Sequence, residues 1–309
     1  MRDQVIRPAV RRRPQPRPRR AVVRAVFAAA VVSVLAACST AADTSDPATP
    51  SAPPAKAPVA SARVTHALPD DPVRMLLPAT GAEGRWTQGL DTFGQQVAHT
   101  VTASCASKGG FALPQNAPPP AFIRFFELPD LDFIAQHGFS HSAEVPMPAA
   151  PPATDRSGTP DEVRRCQDEG AAAADALRKT YVQLQADWFK ELDSLSSDPA
   201  TVKAMAALPD CLARHGIDVP DEDGFFRHTD TRLHSAAPVD LPRENHVLGG
   251  AYADCMRPVE AVREPIRERL RTRFLADHTD EIDELRKTLV PALRRAEERH
   301  GVRLSFPAP

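Results

Sequence analysis

Apolar residues recur every three or four positions over several long stretches of the chain, with polar residues between them. In the first stretch, from Trp86 to Cys105, the apolar positions are separated by four, three, four, four and four residues. A second stretch runs from Leu177 to Leu195, and the longest runs from Val259 to Leu293. Because this spacing is that of one face of an α-helix, the sequence predicts amphipathic helices that pack their apolar faces into a core.

Capping residues and prolines place some boundaries of these helices. Thr159 precedes Pro160, and Glu162 lies three residues after Thr159, which is the arrangement of a capping box at a helix N-terminus. Pro265 and Pro291 fall inside the longest apolar pattern. We expect them to bend or divide that helix, because proline lacks the donor for a helical hydrogen bond.

Two stretches lack the helical spacing. Residues 122–128 are compatible with a strand or a buried turn, and they are the one place where we expect any β structure. Residues 218–243 have no regular spacing, and we expect a long loop there. Aromatic residues make up only 6% of the chain, and alanine and leucine supply most of its apolar content. The predicted fold class is therefore mainly α, with little or no β structure.

The first 37 residues have the composition of a secretory signal peptide. Residues 1–24 carry nine arginines and a single acidic residue, and residues 25–37 are apolar apart from Ser33. A basic segment, an apolar run and small residues at its end are the parts of such a signal. As a helix, the run would rise only about 20 Å, too short for a hydrocarbon core of about 30 Å, so we do not expect a membrane span. The Arg19-Arg20 pair leaves both the general and the twin-arginine export routes open.

The apolar run closes on Leu35-Ala36-Ala37-Cys38. These residues match the lipobox of bacterial lipoproteins, and the resemblance implies that Cys38 carries a diacylglyceryl thioether and becomes the N-terminus of the mature chain. Two acyl chains hold a protein stably at a membrane, whereas one chain does so only marginally. We therefore expect a lipid anchor at Cys38, on the extracytoplasmic face of the cell membrane. A non-lipidated signal peptide cut near Ala37 is the alternative.

Removal of the signal peptide changes the charge of the chain. Residues 1–37 contain nine of the 38 basic residues and one of the 40 acidic residues, so 29 basic and 39 acidic residues remain, a formal charge of −10. This acidity argues against a general nucleic-acid-binding protein and against adhesion to anionic lipid through a basic surface. The expected attachment to the membrane is therefore the lipid on Cys38.

The mature chain is predicted to consist of a linker and two helical units. Residues 38–70 begin with the lipidated cysteine and continue as a stretch rich in alanine, serine, threonine and proline, which is typical of a disordered or polyproline-like linker. We place the first helical unit at residues 71–196 and the second at residues 197–309. The linker is expected to act only as a spacer.

A short pattern occurs once in each predicted unit. Residues 105–114 align without gaps with residues 211–220, and both follow the pattern Cys-x4-Gly-apolar-x-apolar-Pro. Each cysteine lies in the last turn of a predicted helix, and Gly110 and Gly216 are expected to end those helices. A second cysteine follows in each unit and is associated with the next long helix, so we infer an internal duplication.

Four cysteines remain once Cys38 is assigned to the lipid, and they allow three pairings. The repeat favours Cys105–Cys166 and Cys211–Cys255, since each pairing joins the end of one helix to the start of the next. An extracytoplasmic location permits such bonds. Metal ligation is the rival interpretation, but no two of the four have the close Cys-x-x-Cys-like spacing of a metal site. The sequence therefore predicts a disulfide-stapled fold without a metal site or a cofactor.

The lipobox, the Ala/Ser/Pro linker and the Cys-x4-Gly motifs at helix ends together resemble secreted lipoproteins of actinobacteria. The resemblance extends over most of the chain, although its motifs are short. That family has no assigned activity. The resemblance therefore implies a location and an architecture, but no catalytic or binding residues.

The chain lacks the common catalytic and nucleotide-binding motifs, namely the Gly-x-Ser-x-Gly elbow, the phosphate loop, His-Glu-x-x-His and the dinucleotide-binding glycines. His137 and His141 lie four residues apart, but the intervening Gly138 makes a helical metal pair a poor interpretation. The acidic residues 221–224 are more typical of a solvated turn than of a calcium loop. His278 lies on the apolar face of the longest helix, where packing explains it better than catalysis. We therefore predict no catalytic residue.

These observations predict a membrane-anchored lipoprotein with a non-catalytic binding role at the cell envelope. Its expected partner is an envelope protein, a wall component or a small ligand, and not a nucleic acid. A hydrolase that acts on the envelope, with a site not visible in the sequence, is the alternative. A two-lobed α/β solute-binding protein is disfavoured because alternating βαβ units are missing.

Overall fold

The computed structural model describes residues 63–114, 128–139 and 156–308 of the chain. Helices dominate this part of the molecule, so the predicted mainly α fold is confirmed. In chain order the helices are α1 (Gly81–Lys108), α2 (Leu131–His137), α3 (Pro160–Arg178), α4 (Val182–Asp193), α5 (Pro199–Met205), α6 (Leu208–Arg214), α7 (Glu222–Ser235), α8 (Leu241–Asp277) and α9 (Thr279–His300). The signal peptide, Cys38, residues 122–127 and His141 lie outside the described residues, so the predictions for them stay predictions.

Two short strands join the beginning and the end of the described chain. β1 (Arg63–Thr65) pairs antiparallel with β2 (Phe306–Ala308). Just beyond β1, the ring Nδ1 of His66 lies 2.8 Å from the carbonyl oxygen of Leu304. The predicted linker of residues 38–70 therefore extends too far, because backbone pairing with β2 gives residues 63–65 a regular structure.

The larger hydrophobic core takes residues from both predicted helical units. Trp188 on α4 packs against Phe274 on α8, with 5.5 Å between the ring centroids. The indole Nε1 of Trp188 donates a 3.0 Å hydrogen bond to the carbonyl oxygen of Pro78. Other fully buried members come from the segment before α1, from α1 and from α9: Met75, Leu76, Leu77, Phe93, Val97 and Ile282. The described residues all belong to one compact unit, and the predicted boundary between residues 196 and 197 lies inside it.

A second hydrophobic core surrounds the first half of α8. Tyr252 stacks on Phe225 of α7, with 5.2 Å between the ring centroids, and Phe139 meets the Tyr252 ring edge-on at 5.4 Å. Buried residues of α6 and α8 complete the core: Leu208, Leu212, Leu248, Met256 and Val259. This packing fixes the orientation of the Tyr252 side chain, of which only 1% is exposed.

Both predicted disulfides are confirmed. Cys105–Cys166 joins α1 to α3 with 5.4 Å between the Cα atoms, and Cys211–Cys255 joins α6 to α8 with 5.6 Å between them. One turn after Cys166, the glycine at position 170 lets α3 lie directly against α1, since a Cβ there would overlap the α1 backbone at Ala98. Each disulfide therefore fastens a pair of helices.

The two copies of the Cys-x4-Gly pattern end their helices in the same way. Gly110 and Gly216 have φ angles of 65° and 77°, the left-handed region in which a side chain is disfavoured. Each glycine N–H bonds to the carbonyl three residues earlier, at 3.0 and 2.9 Å. The next amides, of Phe111 and Ile217, bond to the carbonyl five residues earlier, at 3.1 and 3.0 Å. This is the Schellman arrangement, so the repeat encodes one type of helix C-terminus twice.

The prediction of a long loop over residues 218–243 is wrong, because α7 occupies most of that stretch. The Asp221 carboxylate accepts a 2.6 Å hydrogen bond from the Gly224 N–H and so caps α7. Phe225 in the first turn is fully buried. A cap and a few buried contacts stabilise this helix, although its apolar residues do not repeat at a helical period.

The prolines of the long C-terminal pattern do not end a helix. Pro265 lies inside α8 and Pro291 lies inside α9. The two helices are separated at His278, which has φ −118° and ψ 31°. Of the two effects expected of these prolines, a bend or a division of the helix, the division is therefore wrong, because the break lies at His278 and not at a proline. The predicted capping box of Thr159 and Glu162 is present at the start of α3.

Candidate functional site

A cavity of about 460 Å³ opens between α4, the 3₁₀ turn Ser194–Ser197, α7 and α8. Part of its wall is apolar, formed by Leu192, Leu195 and Phe226. Part is charged, formed by Glu222, Arg263 and Arg267. A cavity of this size that combines apolar surface with a few charged groups is the usual form of a small-ligand site.

The two arginines of the charged wall belong to α8. Glu260, Arg263 and Arg267 follow one another at steps of three and four residues, so they lie on one face of the helix. Arg263 Nη1 lies 3.4 Å from Glu260 Oε1, and Arg267 Nη2 pairs with the other carboxylate oxygen. Glu260 is therefore shared by two arginines.

Arg267 is almost completely buried, with 1% of its side chain exposed. Its Nε donates a 2.7 Å hydrogen bond to the carbonyl oxygen of Ala79, just before α1. One turn further along α8, Arg271 pairs with Glu83, which also belongs to the capping box of α1. The arginines of α8 thus hold the N-terminus of α1, and the fold fixes the position of the charged wall.

Glu222 reaches the cavity from the first position of α7. The hydroxyl of Tyr252 donates a 2.6 Å hydrogen bond to its carboxylate. Burial raises the pKa of Glu222, and the hydrogen bond from Tyr252 and the charge of Arg263 oppose that shift only in part. Burial also raises the pKa of the Tyr252 hydroxyl, and the neighbouring Glu222 adds to this shift. Glu222 is thus a carboxyl group that holds its proton more strongly than an exposed glutamate.

The rim of the cavity is acidic. Asp193 at the end of α4 and Asp223 in the first turn of α7 line the cavity and are exposed to solvent. The Ser196 hydroxyl beside them donates a 2.8 Å hydrogen bond to the carbonyl oxygen of Asp193. Neither aspartate side chain has an ion-pair partner within the part of the chain that the structure describes. The arginines of the cavity therefore lie on its buried wall, together with Glu222, whereas its exposed rim carries only carboxylates.

The Cys211–Cys255 disulfide braces the helix that carries this wall. Cys255 lies between Tyr252 and Glu260 on α8. One ring nitrogen of His215 and the two sulfurs also lie within 4.8 Å of one another. Because the two sulfurs are bonded to each other, they are not available as thiolate ligands in this state.

A second cleft, of about 600 Å³, lies between α4 and the N-terminal half of α9. In it the ring Nδ1 of His278 lies 2.7 Å from a carboxylate oxygen of Glu281. The His278 ring also packs on Phe274, with 4.2 Å between the centroids, and 30% of its side chain is exposed. The prediction that His278 is packed or half-exposed is therefore confirmed.

The other residues singled out in the sequence have structural positions. His137 is buried at the end of α2 and contacts the ring of Phe133. Asp221 caps α7, so the acidic stretch 221–224 forms a helix N-terminus and not a solvated turn. The four cysteines form the two disulfides. Of these residues, only Glu222 and Asp223 of the acidic stretch line the cavity.

The sequence reasoning missed the charged residues that form the site. The sequence does contain a signal for them, a charged stripe at helical spacing. Its members are separated by three, four and four residues: Glu260, Arg263, Arg267 and Arg271. Such a polar stripe normally marks the solvated face of a helix. Here it is buried because it meets the segment before α1, about 190 residues away along the chain.

No protein-family model matches the chain, and no curated protein or solved structure matches it. Within residues 63–114, 128–139 and 156–308, none of the helices combines the length and apolar character that crossing a membrane requires.

Proposed function

We propose that this protein is a lipid-anchored extracytoplasmic lipoprotein that binds a ligand or partner non-catalytically in the cavity between α4, α7 and α8. The lipobox at Leu35–Cys38 supports the anchor and, with it, a location of the folded unit outside the cytoplasmic membrane. The two disulfides fit that compartment, because such bonds persist in an oxidising environment. The proposal agrees with the resemblance to secreted lipoproteins of actinobacteria.

The observation that carries the binding role is the preformed charged wall. Arg263 and Glu260 have only 12% and 8% of their side chains exposed, and Arg267 has 1%. Burying such groups is costly unless they are paired, so they are ordinarily kept away from interiors. Their position at the edge of a cavity is what a binding site for a polar ligand requires.

The partner is expected in the envelope. The formal charge of −10 on the mature chain disfavours nucleic acid. The candidate partners are therefore envelope proteins, wall components and small solutes. The cavity volume of about 460 Å³ suits a small molecule or one side group of a larger partner.

Photo-cross-linking in intact cells tests this proposal. A photo-reactive phenylalanine analogue in place of Ser196 stands at the rim of the cavity. The same analogue in place of Ser235, which is exposed at the end of α7, is the matched control. We expect a specific adduct from position 196 and none from position 235. Equal adducts from both positions, or none from position 196, would contradict a binding role for the cavity.

An envelope-acting hydrolase is the second candidate, favoured by the His278–Glu281 pair in the cleft of about 600 Å³. A histidine paired with a carboxylate is the arrangement that a general base needs. Incubation of the protein with envelope fractions tests this alternative. Products that disappear with His278→Asn but persist with His300→Asn would support a hydrolase and oppose a purely binding role.

A further inference from the structure

We infer that the cavity between α4, α7 and α8 binds a small zwitterion, an amino acid or short peptide, with the ligand carboxylate on Arg263 and the ligand ammonium at the acidic rim. This inference rests on the proposed binding function and names the chemical class of its ligand. Three observations support it: Arg263 has a single hydrogen bond among the described residues, the exposed rim of the cavity carries carboxylates, and part of the wall is apolar.

Arg263 is the group suited to a carboxylate. Its one hydrogen bond within the described part of the chain is the 3.4 Å contact of Nη1 with Glu260. Arg267 beside it is fully engaged with Glu260 and with the carbonyl oxygen of Ala79. Arg263 lines the cavity, and the planar fork of a guanidinium group can bind a carboxylate through two parallel hydrogen bonds.

The charges around Arg263 favour an anionic group at the buried wall. Two guanidinium groups, of Arg263 and Arg267, face one shared carboxylate, that of Glu260. Glu222 is the other acid that lines the cavity, but its carboxylate accepts the hydrogen bond of the Tyr252 hydroxyl and makes no ion pair with Arg263 within the described residues. Arg263 therefore shares its one carboxylate partner with Arg267, and a ligand carboxylate would give it a partner of its own.

The rim favours a cation. Asp193 and Asp223 line the cavity at its solvent side, and the described residues provide no basic partner for either side chain. An ammonium group close to these carboxylates is attracted to them, and added salt should weaken the attraction because both aspartates are exposed. A ligand that enters carboxylate first would leave its ammonium group at these aspartates.

The apolar part of the wall accommodates the rest of the ligand. Leu192 and Leu195 are 4% and 6% exposed, and Phe226 packs on Tyr252 with 5.3 Å between the ring centroids. The volume of about 460 Å³ lies within the range of small-ligand pockets, about 300 to 1,000 Å³, and holds an amino acid or a dipeptide with an apolar side chain.

Titration calorimetry of the mature lipidated protein in detergent solution tests the inference. The probes are leucine, leucyl-leucine, leucyl-leucine amide and N-acetyl-leucyl-leucine, which remove the carboxylate and the ammonium charge in turn. We expect leucine or leucyl-leucine to bind. The amide should bind about 10- to 100-fold more weakly, the change expected when a charge-assisted hydrogen bond is lost. The acetylated dipeptide should also bind more weakly than the free one.

Protein variants make the test specific to Arg263. Arg263→Gln should weaken leucyl-leucine and abolish the difference between the free dipeptide and its amide. Arg269→Gln removes an exposed arginine from the same helix, outside the cavity, and should leave binding unchanged. Asp193→Asn combined with Asp223→Asn should abolish the effect of acetylation. The comparison of probes on the unaltered protein does not depend on how any variant folds.

Two results would overturn the inference. Binding that is indifferent to amidation of the probe would show that the cavity does not select a carboxylate. Absence of saturable binding for all four probes would exclude a zwitterion of this class. Neither result would contradict the proposed binding function, because a cavity that binds a different ligand would still give the cross-linked adduct at position 196. The binding function is tested separately by that adduct.

Discussion

The hydroxyl of Tyr252 donates a 2.6 Å hydrogen bond to the carboxylate of Glu222 and so joins α8 to the first residue of α7. Tyr252 is 1% exposed, and the second core fixes its ring between Phe139 and Phe225. The contact couples the packing of that core to the protonation of a carboxyl group at the edge of the cavity. We therefore expect the proposed site to respond to pH and to substitutions in the second core.

Glu222 should make the stability of the protein depend on pH. Its pKa in the folded state lies above its ordinary value of 4.5, so the folded protein retains a proton that the unfolded chain releases. The free energy of unfolding should therefore fall as the pH rises from about 4.5 through the raised pKa, and stay constant above it. Urea unfolding from pH 4 to 8 should show this decline in the wild-type protein and a smaller one in Glu222→Gln.

Tyr252→Phe sharpens this prediction, because it removes the donor that favours the charged carboxylate. The decline should then extend to higher pH than in the wild-type protein. Parallel stability curves for the wild-type protein, Glu222→Gln and Tyr252→Phe would contradict the role given to this hydrogen bond.

The buried pair of Glu260 and Arg267 should show strong coupling. Glu260→Gln leaves the buried Arg267 without a carboxylate partner, and Arg267→Met leaves Glu260 with only its 3.4 Å contact to Arg263. Each variant should lower the free energy of unfolding, by up to about 3 to 5 kcal/mol. The double variant should lose clearly less than the two single losses together. Urea unfolding of all four proteins measures the coupling.

Arg257→Gln is the matched control for that cycle. Arg257 lies on the same helix, but its pair with Asp132 is exposed, with 51% and 74% of the side chains accessible. Its loss should cost less than about 1 kcal/mol. Additive losses for Glu260 and Arg267 would mean that their contact does not stabilise the fold.

The helix-ending glycine of the second repeat should resist substitution. Gly216 has a φ of 77°, and a side chain in this region costs about 1 to 2 kcal/mol. Gly216→Ala should therefore lower the midpoint of thermal unfolding, and Gly110→Ala should do the same. Gly250 lies inside α8 with no atom near its missing Cβ, so Gly250→Ala should stabilise by up to about 1 kcal/mol. Equal effects at positions 216 and 250 would contradict the assigned helix end.

The disulfides should contribute substantially to stability. Replacing both cysteines of Cys211–Cys255 by serine should cost about 2 to 5 kcal/mol in urea unfolding, and the same replacement at Cys105–Cys166 should cost a similar amount, since their sequence separations are 44 and 61 residues. Peptide mapping without reduction should recover the two linked peptides. A free thiol at any of these four positions would contradict the pairing.

The features predicted well from the sequence are encoded locally. The Cys-x4-Gly pattern predicts a helix end because the glycine conformation and its hydrogen bonds involve only six consecutive residues. The order of helices and cysteines around the two copies then suggested the pairings that the structure has. The capping box at Thr159 is predictable for the same reason.

The features missed depend on distant contacts. The sequence alone predicts that Arg267 lies at the surface. It is buried because the carbonyl oxygen of Ala79, distant in the sequence, accepts its hydrogen bond. Helix α7 has no regular apolar period, and it forms because Asp221 caps it and Phe225 enters the second core. The cavity arises where α4, α7 and α8 meet, and no single segment contains its pattern.

The anchor at Cys38 is the claim on which the location of the cavity and its partner depends. Fractionation of cells that express the wild-type protein and Cys38→Ala tests it directly. The wild-type protein should remain with the membranes after a high-salt wash, whereas Cys38→Ala should appear in the soluble fraction or the medium. Retention of Cys38→Ala in the membrane fraction to the same extent as the wild-type protein would contradict the account.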